Sequence, residues 1–171
     1  MKSSAIISLH GALKAGCPQY RALALDECHL SLSRPGSIAG SQLASLQEEL
    51  RSRVRGCAPF SLRLDRLSLL VNEAGTQCFV AAEATGARLA SDDGQAYRRL
   101  LRAVDGALAR HGLARYYEEP RPHVSLGWAP PRAQPALAGV LARQHDTLAP
   151  GLHVTEIVCK IGRREHRFRL R

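Results

Sequence analysis

The chain has 171 residues, 45% hydrophobic and 23% charged, the size and make-up of one globular domain able to bury a substantial core. Its 24 basic residues against 15 acidic ones give a net charge of +9, and all the basic residues but Lys2, Lys14 and Lys160 are arginines, the side chain best shaped for bidentate contact with phosphate. No apolar run approaches the roughly 18–20 residues of a membrane helix, and five scattered cysteines without a C-x-x-C pair fit neither a disulfide scaffold nor a zinc knuckle and suit a reducing compartment.

Residues 4–9 (SAIISL) are a short apolar run that reads as a strand. Residues 11–26 mix turn formers with a small Ala/Leu patch, and apart from that strand 1–23 are poorly defined. The acid-free start, with Lys2, Lys14 and Arg21, has the composition of a short organellar presequence, but Gly11, Gly16 and Pro18 interrupt the amphipathic helix such a segment needs. Residues 28–33 (CHLSLS) alternate strictly, the period of a half-buried strand, and Pro35 and Gly36 end it. Over 42–54, Leu43, Leu46, Leu50 and Val54 share one helical face. Residues 60–71 read as one long strand, Asn72 to Gly75 as a hairpin turn and 77–83 as the returning strand. Asp92 or Asp93 is suited to cap a helix over 97–110 that Gly112 stops. A strand over 123–127 is broken by Pro130 and Pro131, a helix follows over 135–144, and 153–161 with 166–170 form a closing hairpin around Gly162. The order of elements predicts an α+β fold with antiparallel sheet, the second half repeating the layout of the first within a single domain over 1–171.

Two of the short strands carry one pattern, His29-Leu-Ser31-Leu and His123-Val-Ser125-Leu. In a strand, residues two apart share a face, so each histidine lies beside a serine while the Leu and Val residues turn to the core. A lone H-x-S is commonly structural; two copies, each on a predicted strand and each closely followed by proline, look like a duplicated unit giving two halves of one site. That pair suits phosphodiester cleavage: one imidazole takes the proton of the attacking hydroxyl, the other protonates the departing oxygen, and the serine hydroxyls hold the non-bridging oxygens. The attacking hydroxyl is the substrate's own 2′-OH, leaving a 2′,3′-cyclic phosphate, or water that opens such a ring. A metal is the rival use of the histidines, but no carboxylate or cysteine stands at metal-ligand spacing beside them, and Cys28 points away from His29. No metal and no cofactor are expected.

The paired tetrapeptides resemble those of the 2H phosphoesterase superfamily. More narrowly, the chain is similar to the U6 snRNA phosphodiesterases, 3′-to-5′ exoribonucleases that trim oligouridine tails. The likeness runs through CHLSLSR (28–34), LLVNEAGTQCFVAAEAT (69–85), YYEEPRPHVSLGW (116–128) and the closing CKIGRREHRFRL (159–170), together spanning roughly 24–171. It implies a bilobal, pseudo-two-fold 2H fold, two antiparallel sheets with flanking helices and a central groove. It implies His29 and His123 as catalytic pair, Ser31 and Ser125 as phosphate-binding serines, and Tyr117 as a ring that stacks on the terminal nucleobase. An exposed ring beside a phosphate site does give sequence-tolerant stacking; the structural reading makes Tyr117 core filler beside Tyr116.

Arg34, Arg121 and Lys160 are candidate RNA backbone contacts, with Arg163 and Arg164 on the last hairpin. Arginine and alanine richness is also what a GC-rich genome produces, so charge alone decides little. Two features depart from the family: only 28 residues precede His29, where relatives have a longer N-terminal extension, and Pro122 stands before His123 where a bulky residue is common. The expected partner is a uridine-rich single-stranded RNA 3′ end such as that of U6 snRNA, acted on by a monomer, away from membranes, in the nucleus or else in mitochondria or cytoplasm. The alternatives are a 2H-type cyclic phosphodiesterase on other RNA ends and a non-catalytic single-stranded RNA-binding module.

Overall fold

The computed structural model describes residues 3–85, 89–144 and 151–171. They form two compact units, each stitched from three chain segments: unit 1 from 1–31, 63–85 and 121–151, unit 2 from 32–62, 86–120 and 152–171. The units are therefore not the two halves of the chain, and both H-x-S motifs fall in unit 1.

Unit 1 begins with helix α1 (Ser3–Gly16), where a strand over 4–9 and an unassigned stretch were expected. Ile6, Leu9, Leu13 and Cys17 recur at helical spacing and are buried almost completely. Gly11 costs about 1 kcal/mol against Ala in a helix interior, whereas each large apolar side chain buried returns about 1.5–3 kcal/mol, so packing overrides local propensity. Gly16 has a positive use. A Cβ there would collide with Val140 of helix α4 (Gln134–Leu141), against which α1 packs.

The sheet of unit 1 is antiparallel and ordered β1 (Arg21–Ala22), β5 (His123–Ala129), β4 (Cys78–Glu83), β3 (Arg66–Val71). The single long strand expected over 60–71 is broken into β2 (Phe60–Arg63) and β3. Asp65 causes the break: its carboxylate accepts the Thr85 backbone N–H at 2.8 Å and the Thr85 hydroxyl at 3.0 Å, bonds that compete with a continuous ladder. The turn between β3 and β4 is as expected, with the Asn72 side-chain oxygen accepting from the Thr76 and Gln77 N–H groups and Gly75 at φ +66°. The strand expected over 28–33 is reduced to one antiparallel bridge, Leu30 with Val124, because the chain enters unit 2 at Leu32.

Strand β5 carries a bulge. Val80 pairs with Gly127 and Ala81 with Ser125, leaving Leu126 as the extra residue. Both lone pairs of the Leu126 carbonyl are used, by the Leu23 N–H at 2.9 Å and the Tyr20 hydroxyl at 3.3 Å. Gly127 is pressed against that tyrosine and the Arg21 carbonyl.

In unit 2, α2 (Leu43–Val54) packs on α3 (Asp92–Arg110), burying Leu46, Leu50 and Val54 from one and Tyr97, Leu100, Leu101, Val104 and Leu108 from the other. The cap of α3 is the Ser91 hydroxyl, which accepts from the Gly94 N–H at 3.3 Å; Asp92 and Asp93 instead fill the first turn, where their charge suits the helix dipole. Gly112, at φ +69°, ends the helix as expected. In place of one second sheet, the described residues hold two two-stranded ladders: β2 with β6 (Gly151–Val154), and β7 (Glu156–Ile161) with β8 (Arg164–Arg169) turning at Gly162. No helix of the described residues is long and apolar enough to cross a membrane.

Gly127→Ala is expected to lower stability by about 1–3 kcal/mol, since the added methyl meets backbone as well as the tyrosine. Gly139→Ala in α4, where the nearest atom to the new Cβ is Arg143 Nη1 at 3.8 Å, should instead stabilise by up to about 1 kcal/mol. Denaturant unfolding of both variants checks the contrast.

Candidate active site

Along β5, His123 and Ser125 are half-buried on one face while Val124 and Leu126 are fully buried on the other. Slipping the strand by one residue would expose both apolar side chains, at about 1.5–3 kcal/mol each, and turn the histidine inward. The core thus fixes which face the polar pair occupies. The antiparallel bridge between Leu30 and Val124 then sets the second motif against the first. In that register Ser31 stands across from His123 and His29 across from Ser125. Each imidazole has one serine two residues along its own chain and the other serine opposite. The four residues expected to form the site are brought together in unit 1.

Both rings are oriented by the same local device. His29 Nδ1 is 2.8 Å from the Glu27 carbonyl oxygen, and His123 Nδ1 is 2.7 Å from that of Arg121. A carbonyl only accepts, so each Nδ1 carries the proton and donates it. In the neutral ring Nε2 then holds the lone pair of a base, and in the charged ring it holds the proton of an acid. The two histidines are equally equipped for either role.

Glu83, at the end of β4, is the cross-strand partner of His123 and only 2% exposed. Arg121 forks onto it, Nε to Oε1 at 2.9 Å and Nη2 to Oε2 at 3.0 Å, and Arg66 Nη2 reaches Oε2 at 3.0 Å. Burial pushes the Glu83 carboxyl up, but the hydrogen bonds and charge of Arg121 and Arg66 outweigh it and hold the group below the ordinary glutamate value. Sequence reading placed Arg121 among the RNA contacts and assigned Glu83 no role; the signal was present in an apolar strand, CFVAAE, that ends on an acid facing a histidine strand.

The remaining expected residues lie in unit 2. Tyr116 is the core residue, 8% exposed, and Tyr117 is the surface ring, 44% exposed, so the core-filler reading belongs to Tyr116. The Arg34 guanidinium lies 4.7 Å from the centroid of Tyr117, and both line an open cleft of about 970 Å³ with Arg98, Arg102 and Arg115. Sequence reading passed over Arg98 and Arg102, although their i, i+4 spacing puts them on one face of α3. Lys160 is exposed on β7, in register with Glu165. Among the described residues no cluster of three or more His, Cys, Asp and Glu side chains is placed to hold a metal.

The fold matches Kluyveromyces marxianus Usb1, solved with uridine monophosphate, over 99% of this chain and 94% of that one, with a TM-score of 0.72 and 16% identity. It matches Escherichia coli LigT over 98% of this chain and 91% of that one, with a TM-score of 0.52 and 16% identity. The chain shares its fold with these solved structures. Within it the chain belongs to the HVSL family, whose model, described as an uncharacterised conserved protein, matches residues 5–169. Among its relatives is U6 snRNA phosphodiesterase 1 of Drosophila melanogaster, 25% identical over 150 residues that cover 85% of this chain and 56% of the relative. The protein of the same name from Homo sapiens is 22% identical over 133 residues, 78% of this chain and 48% of the relative. The chain spans about half the length of these curated relatives.

Because the folded carboxyl of Glu83 titrates below its unfolded value, near 4.3, its contribution to stability is complete above that value and is lost as pH falls through the folded one. Wild type should therefore unfold at a higher temperature than Glu83→Gln at pH 7, with the gap closing below about pH 4. Thermal melts of the two proteins across pH 3–7 measure it.

Proposed function

We propose that this chain is a metal-independent 3′-to-5′ RNA exonuclease that trims a uridine-rich 3′ end, that of U6 snRNA or one like it. The crosswise arrangement of two histidines and two serines carries this reading. Nε2 of one imidazole takes the proton of the 2′-OH next to the scissile phosphate, and the freed oxygen bonds to phosphorus. The bond from phosphorus to the 5′-oxygen of the terminal nucleotide breaks, and that oxygen takes the proton held on Nε2 of the other imidazole. The new 3′ end is a 2′,3′-cyclic phosphate, and exchange with water returns both rings to their starting states. Ser31 and Ser125 donate to the non-bridging oxygens as charge grows there. Water attacking the cyclic ester by the same acid–base pair would open it to a phosphate.

Tyr117 offers the exposed face on which a terminal base stacks, and the cations around it, Arg34, Arg98, Arg102 and Arg115, suit an RNA backbone. The names of the U6 relatives and the uridine nucleotide in the Usb1 structure support uridine-rich RNA as substrate and, with it, work in the nucleus.

With a 5′-labelled oligoribonucleotide ending in uridines, in EDTA, the wild type should shorten the 3′ end stepwise. His29→Ala and His123→Ala should each lose roughly 10²- to 10⁴-fold in rate, and Ser31→Ala or Ser125→Ala about a hundredfold. Tyr117→Ala should raise KM more than it lowers kcat. Binding without shortening sinks the exonuclease reading in favour of an RNA-binding module, and opening of cyclic nucleotides with linear tails spared assigns the site to a cyclic phosphodiesterase.

A further inference from the structure

The two imidazoles are oriented alike but anchored differently. The Glu27 carbonyl that holds His29 sits in an exposed turn, closed by the Glu27 N–H on the Ala24 carbonyl and the Ala24 N–H on the Glu27 side chain. The Arg121 carbonyl that holds His123 belongs to a residue whose own side chain is forked onto a carboxylate 2% exposed. That carboxylate is held in turn. Arg66 grips it from β3, the Asp65 N–H bonds the Glu83 carbonyl at 2.8 Å, and the Ala84 N–H bonds the Pro122 carbonyl at 3.0 Å. Burying a carboxylate gains little stability over an apolar residue of similar volume, since desolvation consumes most of the attraction. Strand β4 is otherwise Cys, Phe, Val, Ala and Ala, so an aliphatic side chain would suit position 83 if packing were its only use.

We propose that Glu83 is a positioning residue for His123: it grips the Arg121 side chain and so fixes the backbone whose carbonyl orients the imidazole. Arg121 then contributes through two ends of one residue, the guanidinium to the carboxylate and the carbonyl to the ring. The inference rests on the proposed two-histidine reaction for its kinetic consequence only; the orientation of the ring is measurable without substrate.

The test uses Arg121→Ala, whose lost side chain is half exposed and leaves Arg66 on Glu83, together with Glu83→Gln and the double variant. Nitrogen-15 NMR of the imidazoles in the free protein should show the Nδ1–H form of His123 giving way to a mixture of tautomers in both single variants, with His29 unchanged as internal reference. On RNA, kcat should fall roughly tenfold to a hundredfold with KM nearly constant, and the double variant should be no slower than the slower single one, because both remove one linkage. Unchanged His123 nitrogen signals in folded Arg121→Ala would overturn the proposal. So would a rise in KM with a shallower salt dependence and no change in kcat, which would make Arg121 a backbone contact instead. If the wild type cleaves no RNA at all, the NMR result alone decides the inference, so its failure is separable from that of the exonuclease reading.

Discussion

The site depends on a single antiparallel bridge. Leu30 meets Val124 across two backbones, and that contact sets His29 beside Ser125 and Ser31 beside His123. Both bridge residues are apolar, and Val124 is buried to 1% exposure. The hydrophobic effect acts on the intervening residues and the polar ones are carried to the opposite face, so the same alternation that hides Val124 presents the histidines. One residue of slip in either strand would dissolve the constellation without altering any of its four members.

The bulge at Leu126 makes a second adjustment. An unbroken alternation after Ser125 would have placed Gly127 with the polar residues and turned Trp128 toward the buried face. The extra residue lets Leu126 and Gly127 both lie on the buried side and leaves Trp128 half-exposed beside the polar row, opposite Phe79. Gly127 is the residue that fits there, with a tyrosine hydroxyl and a neighbouring carbonyl pressed against its Cα. The bulge is thus part of how the strand serves a core and a site at once.

Much of this was legible in the amino-acid sequence because period carries it. The alternation of His123, Val124 and Ser125, the helical spacing of Leu46, Leu50 and Val54, and the turn chemistry of Asn72 and Gly75 each state a local geometry, and the protein adopts it, while of the alternation through CHLSLS it keeps one bridge. What stayed hidden depends on partners distant in sequence. Helix α1 forms across Gly11 because Ile6, Leu9 and Leu13 find a core, which no window of residues 1–23 can display. The break at Asp65 needs Thr85, twenty residues on. The assignment of both motifs to one unit needs the strand order β1-β5-β4-β3, in which β5 lies between two strands far from it along the chain. Glu83 was legible only in part for the same reason: the acid that ends CFVAAE stands in the sequence, but the two arginines from separate segments that close on it do not show there.

The hydrogen bond from each Nδ1 to the carbonyl two residues earlier has a bearing on how such a site can arise. Where a histidine is oriented by a carboxylate from elsewhere in a fold, ring and orienter must be assembled together. Here the orienter is the main chain of the same short segment. A stretch of five residues ending in H-x-S therefore brings its own imidazole, its own alignment and its own hydroxyl to any segment that can lie antiparallel to another copy. Two such stretches laid antiparallel set two aligned imidazoles and two hydroxyls in one row, and a side chain from a neighbouring strand, such as the acid at position 83, stands beside one copy and not the other.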